Sequence, residues 1–396
     1  MESARAPAQM TRLPAVFMRG GTSKAIMFHA RDLPADRAQW DAIFLAAMGS
    51  PDPHGRQLDG MGGGISSLSK VCVIAPSQRA DADIDYTFAQ VQVKEARVDY
   101  GSNCGNMSSA VGPFALEEGI VGAADGETTV RIFNTNTKKL IHSTFGVRGG
   151  RAALEGALEI PGVAGSGAPI RLDFIEPGGA TTGRLLPSGS ASDVIEVAGL
   201  GAIELSMIDA ANACVFGAAA SLGLKGTELP YELERNVEAM QKLAAIRLQA
   251  SVAMGIGRTL EEARARTAVP FIGFVSPPQD ALTLSGERVA ASAVDLSIRM
   301  LSNGQPHRAL PLTASLCAAV AARIEASVVW KAARRDAGEM LRLGMPSGVL
   351  TVGAEASCNN GSWRVARGSF YRTARRLFDG YVYAWPAMNR LAEGSK

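Results

Sequence analysis

The feature that most limits the fold of this 396-residue chain is a rough repetition. In each half, short apolar strands run into a polar, glycine- or small-residue-rich turn, and a helix rich in small residues follows. In the first half, alternation and β-branched runs mark strands at 15–18, 26–28, 71–74 and 84–93. A turn around Cys104 then opens a helix over 106–118, closed by Gly119, and strands follow at 128–133, 140–147 and 152–160. In the second half, strands fall at 194–197, 203–208, 271–275 and 294–300, an alanine-rich helix covers 314–325, and strand-like alternation returns over 362–385. Two further helices have the right periodicity at 36–49 and 231–252. The turn-rich stretch from Glu176 to Gly189 separates the halves. The expectation is an α+β chain of two similar domains, 1–187 and 188–396.

Bulk composition removes several classes of function. The net charge is +2 and aromatics make up 6% of the chain, so there is neither a cationic surface nor a stacking platform for nucleic acid. Uncharged stretches such as those near 210–224 and 309–322 are too short to span a bilayer. The five cysteines, at 72, 104, 214, 317 and 358, form no C-x-x-C pair and are odd in number. That spacing argues against a zinc site and a disulfide framework, and for a reducing compartment. Residues 1–12 lack the apolar core of a signal peptide. A soluble, cytoplasmic protein with no metal and no cofactor is expected, with no membrane or nucleic-acid partner, and a homodimer is compatible with the sequence.

Two side chains stand in unusual frames. Lys70 ends the run Gly62-Gly63-Gly64-Ile65-Ser66-Ser67-Leu68-Ser69 and precedes the apolar strand Val71–Ile74. Loss of water around a lysine disfavours its ammonium form, which is how a lysine becomes a usable general base. The ordinary alternative, a solvated lysine at a strand end, carries about equal weight on local sequence alone. Cys104, between Asn103 and Gly105-Asn106, opens a helix, where the macrodipole favours a thiolate or a bound anion. Most cysteines are small buried hydrophobes, and the other four fit that description. The run Arg19-Gly20-Gly21-Thr22-Ser23 offers a guanidinium, flexible amides and two hydroxyls, a set suited to a carboxylate, although a plain tight turn uses the same residues. Ser302 to His307 precedes Thr313, a plausible N-cap of the second central helix. For His307 alone, a structural histidine is as reasonable as a catalytic one. The four residues Ser67 to Lys70 match the S-x-x-K of serine acyl-transfer enzymes, but a strand follows where that motif opens a helix.

Taken together, these stretches resemble the PrpF-type 2-methylaconitate cis–trans isomerase family, whose relatives include 4-oxalomesaconate tautomerases and methylitaconate Δ-isomerases. The resemblance runs through Met18–Lys24, Gly49–Asp52, Gln57–Gly63, Ser66–Lys70, Asn103–Asn106, Val111–Ala115, Leu185–Gly189 and Ser302–Arg308. It implies a diaminopimelate-epimerase-like fold, with β-structure wrapped around a central helix in each domain, the active site in the cleft between, and the last strands able to return to the first domain. It implies a cofactor-independent allylic proton shift or cis–trans isomerisation of a small unsaturated di- or tricarboxylate. 2-Methylaconitate is the leading candidate, with 4-oxalomesaconate, aconitate and methylitaconate as alternatives. Lys70 and Cys104 would be catalytic. Arg19, Gly20, Gly21, Thr22, Ser23, Ser66, Ser67, Ser69, Asn103, Gly105, Asn106, Ser302, His307 and Thr313 would bind substrate. The matching turn of the second half, Leu310 to Ala314, has no cysteine, and Cys317 falls too deep in its helix to replace one. A two-thiol racemase mechanism is therefore not expected. Many relatives carry a lysine after the proline matching Pro270, and Phe271 stands there in this chain. A carboxylate-binding protein without turnover is the competing reading from another class.

Overall fold

A computed structural model describes residues 11–384 except positions 102 and 339. Residues 1–10 and position 385, on which parts of the terminal expectations fall, lie outside the described residues. Among the described residues nineteen strands join in one sheet whose pairing order repeats. From Thr11–Gly20 the sheet steps to Ser23–His29, Lys70–Pro76, Ile84–Val91, Gly126–Asn134, Lys139–Arg148 and Ile170–Ile175. These steps are antiparallel, parallel, antiparallel, parallel, antiparallel and antiparallel. From Gly201–Ala210 the sheet steps to Asn212–Ala218, Phe271–Ser276, Leu296–Ser302, Met340–Met345, Gly348–Asn359 and Ser362–Arg372 in the same sequence of directions. Asp193–Val197 flanks Gly201–Ala210 just as the final strand, Ala374–Ala384, flanks Thr11–Gly20. The two series meet where Ile170–Ile175 pairs with Ser362–Arg372.

Each series wraps a central helix. Gly105–Glu117 is buried from its first residue through Leu116, and Leu312–Ala321 is buried throughout. A helix without a polar face has to be enclosed on all sides, and a curled sheet does this. Small residues bring the sheet close. A side chain at Gly112 would meet the Phe145 ring at 2.7 Å, and one at Gly368 would meet Leu316 at 2.6 Å. Larger apolar residues such as Met107, Phe114 and Leu316 fill the remaining space, each contributing about 1.5–3 kcal/mol on burial.

The structure departs from the expected elements in places. The expected strand 152–160 reduces to the two-residue pairs Arg151–Ala152 and Leu158–Glu159. The long strand Gly348–Asn359 carries Gly353, Glu355 and exposed polar residues along an irregular register, which conceals its alternation.

Candidate active site

The two central helices meet at their N-termini. A side chain at Gly105 would touch Leu312 at 3.1 Å and Thr313 at 3.3 Å. Asn212, fully buried, clasps the junction: its Nδ2 donates to Thr313 Oγ1 at 2.7 Å and to the Asn103 carbonyl at 3.3 Å. A narrow crevice of about 50 Å³ opens above, lined from both halves and without an acidic residue in its walls. Two positive helix ends and no carboxylate make it suited to an anion.

Lys70 enters this crevice because of strand alternation. Cys72 and Ile74 on its strand pack in the core around the first helix, and Lys70, two residues earlier, has the same facing beyond the helix end. It is 7% exposed, and its Nζ donates to Gln90 Oε1 at 2.5 Å. Gln90 is itself fixed, since its Nε2 donates to the carbonyls of Ser69 and Ser66. Cys104, half-buried and unbridged, precedes the first helix and lines the same crevice.

The pairing repeat shows what faces them. Lys70 is the first residue of the third strand in its series, and Phe271 is the first residue of the third strand in the other. Cys104 and Pro311 precede the two helices in the same way. All four line the crevice. One wall therefore carries an amine and a thiol, while the corresponding positions of the other wall carry a phenyl ring and a pyrrolidine ring. Cys317 is fully buried, its Sγ against the Ile208 carbonyl at 3.3 Å, remote from any such role.

Ser23, Ser66, Ser67, Asn103, Gly105, Asn106, Ser302, His307 and Thr313 also line the crevice. Thr22 lines an adjoining vestibule of about 990 Å³ that shares Ser66, Ser67, Ser302 and His307 with it. The Thr22 hydroxyl accepts from Asn106 Nδ2 at 3.1 Å, so its own proton points elsewhere. Asn106 Oδ1 accepts from Arg372 Nε at 3.1 Å. Arg372 is 5% exposed, makes no ion pair among the described residues, and is pushed down to about 9 by burial, so it remains a cation at neutral pH. Sequence reading missed it, as it missed Gln90, Asn212 and Asn303. Only the fold brings Gln90 to the crevice wall and sets Asn212 and Arg372 behind it, bonded to Thr313 and Asn106, and no local motif marks these three. Asn303 lines the crevice at positive φ, and its buried Oδ1 has no hydrogen-bond partner among the described residues.

Three expectations need correction. Arg19 does not line the crevice. It shares a strand face with Ala15 and Phe17, whereas Met18 faces the helix, so alternation turns the guanidinium away. Ser69 is fully buried and bonded to Gln57 Nε2 and the Val91 carbonyl, a structural role. Gly20 and Gly21 lie against Asn106 from behind and shape the turn rather than the crevice wall.

His307 has a defined state. Burial, with the nearby Lys70 charge, pushes it down to about 4, so the ring is neutral at neutral pH. Its Nδ1 accepts from the Ala309 amide at 3.1 Å, which leaves the proton on Nε2 as a donor. A histidine lowered in the folded state binds a proton more readily when unfolded. Its contribution to stability is therefore complete above about 6.5 and is lost as pH falls toward about 4. Urea midpoints of wild type and His307→Asn should converge across that window, and a constant difference would contradict the assignment.

Fold and site define an isomerase with the diaminopimelate-epimerase-like architecture. A hydroxyproline epimerase from Agrobacterium vitis shares the fold at 13% identity and TM-score 0.55, with 95% of this chain and 97% of that one covered. The chain belongs to the PrpF protein family, whose model matches residues 10–385. It is 40% identical to a 3-methylitaconate isomerase of Eubacterium barkeri, covering 94% of this chain and 97% of that protein. It is 39% identical to a 2-methyl-aconitate isomerase of Shewanella oneidensis, covering 94% and 96%. A crystal structure of methylitaconate-delta-isomerase matches with TM-score 0.78 at 40% identity over 95% of this chain and 96% of that one. Among the described residues no helix is long and apolar enough to cross a membrane, and no cluster of three or more potential metal ligands occurs.

Proposed function

We propose that the crevice performs a proton-shift isomerisation of a small unsaturated di- or tricarboxylate, with 2-methylaconitate as the first candidate and methylitaconate, aconitate and 4-oxalomesaconate as the alternatives. The observation that carries this reading is the one-sided placement of Lys70 and Cys104 opposite Phe271 and Pro311. Lys70 takes a proton from the carbon next to the double bond. The electron pair delocalises into the conjugated carboxylate, whose oxygens gain charge. The two helix N-termini, the neutral His307 donor and the Ser302 and Thr313 hydroxyls meet that charge. The lysine ammonium then returns the proton. Return to the same carbon after bond rotation gives a cis–trans isomer, and return to the far carbon moves the double bond. Cys104 is a second proton carrier or a substrate contact. With acid–base groups on one wall only, removal and return occur on the same face of the substrate.

The sequence halves 1–187 and 188–396 supply the two walls, Lys70 and Cys104 from the first and Ser302 and His307 from the second. Cytoplasmic residence and a homodimer belong to this reading as well, the latter checked by sedimentation. Proton NMR in deuterated buffer, with 2-methylaconitate, aconitate, methylitaconate and 4-oxalomesaconate in parallel, tests the function. Deuterium should enter at least one of them at an allylic position, with a fraction of the original proton returned internally. Absence of exchange with all four would favour a carboxylate-binding protein without turnover.

A further inference from the structure

The guanidinium that alternation turns away from the crevice has neighbours of the same sign. Arg19 lies directly opposite Lys24 on one adjoining strand and Arg375 on the other, which places three cations side by side on one sheet face. Like charges at directly paired positions destabilise a sheet unless something offsets them. Among the described residues no ion pair reaches any of the three. The other face of the same strand shows how this chain neutralises such charge. Arg376, next to Arg375, contacts Glu117, Glu118 and Asp379.

Arg19 and Arg375 both line a cavity of about 400 Å³, bounded by Thr373, Ser166 and the glycine-rich segment Gly165–Gly167. This cavity shares no lining residue with the crevice or its vestibule. Arg19 is half-buried, and its Nη1 donates to the carbonyls of Gly21 and Thr373, both at 3.0 Å. Those bonds fix the fork, and Nε and Nη2 have no partner among the described residues. Arg375 is exposed at the rim and makes no side-chain hydrogen bond among the described residues. Glu155 is the acidic residue at this cavity, and it too is exposed and makes no ion pair among the described residues. Burial, reinforced by Arg375, lowers the affinity of Arg19 for its proton, the direction expected of a cation facing another without an intervening anion.

We propose that Arg19 and Arg375 form a second anion site, separate from the crevice, for a small multivalent oxyanion such as a polycarboxylate or a phosphate. Planar guanidinium forks match both chemistries, and the cavity admits a molecule of that size. The site also adjoins the catalytic turn. The Gly21 carbonyl that Arg19 holds is one residue from Thr22, whose hydroxyl accepts from Asn106.

Isothermal titration tests the site with two probes, inorganic phosphate and tricarballylate, a saturated tricarboxylate that cannot isomerise. The titrations use wild type, Lys70→Ala and Arg375→Gln. At least one probe should bind Lys70→Ala as tightly as wild type, and bind Arg375→Gln at least about tenfold more weakly at this site. Arg375 is exposed, so its substitution leaves the fold and the crevice intact. The probe that binds identifies the source, phosphate or carboxylate. The proposal is overturned if neither probe binds, if Arg375→Gln binds unchanged, or if Lys70→Ala abolishes all binding. None of these readouts depends on turnover, so the site can fail while the isomerase reading stands, and the reverse.

Discussion

A folded Lys70→Ala protein should lose about 10²–10⁴ in kcat, the range expected when a positioned general base is removed. Among the described residues Lys70 is the only lysine or arginine lining the crevice, and its Nζ is held by Gln90, which is itself bonded to the backbone at Ser66 and Ser69. No second lysine can take over from the facing wall, because the corresponding position there is Phe271. Lys70→Arg keeps the charge but replaces the amine with a guanidinium that does not deprotonate in the working pH range. It should restore substrate binding without restoring exchange of the allylic proton. Wild-type exchange in either variant, followed by deuterium incorporation, would remove Lys70 from the mechanism. In that event Cys104 becomes the base, and Cys104→Ser becomes the informative variant.

Asn212→Ala should have the largest effect among residues that do not touch substrate. The side chain is fully buried and donates both to Thr313 Oγ1 and to the Asn103 carbonyl, one contact at each helix N-terminus. Its removal strands those buried acceptors and leaves a void, at a cost of about 2–4 kcal/mol in unfolding free energy. The two helix ends also lose their mutual alignment. A displacement near 1 Å at reacting groups costs roughly 10²-fold, so kcat/KM should fall by about that factor even in the folded fraction. Denaturant unfolding and steady-state kinetics on the same preparation separate the two effects. A loss of stability with unchanged kcat/KM would mean that the clasp holds the halves together without setting the geometry of the crevice.

Legibility differed between the two walls of the site. Lys70 and Cys104 were visible because each stands in an unusual local frame, a glycine–serine run before a strand and a helix start between asparagines. Phe271 attracted notice only through the family resemblance, and Pro311 only as the site of a missing cysteine. Gln90, Asn212 and Arg372 had no local signal, since their roles depend on contacts with residues far away in the chain, whereas Asn303 sat unremarked within the Ser302–His307 run. Arg19 was misplaced for a related reason. Its neighbours suggested a carboxylate site, but the choice between the two faces of a strand depends on register, and a single position reverses it.

The sequence by itself determined the repetition, because apolar periodicity and turn chemistry are local and survive without partners. It determined the two reactive side chains for the same reason. Only the tertiary structure decided that the sheet steps through the same order of parallel and antiparallel pairings twice. That order sets Lys70 opposite Phe271 and Cys104 opposite Pro311. Strand order is fixed by long-range hydrogen bonding and by enclosure of the two buried helices, and neither is encoded within any short window of residues.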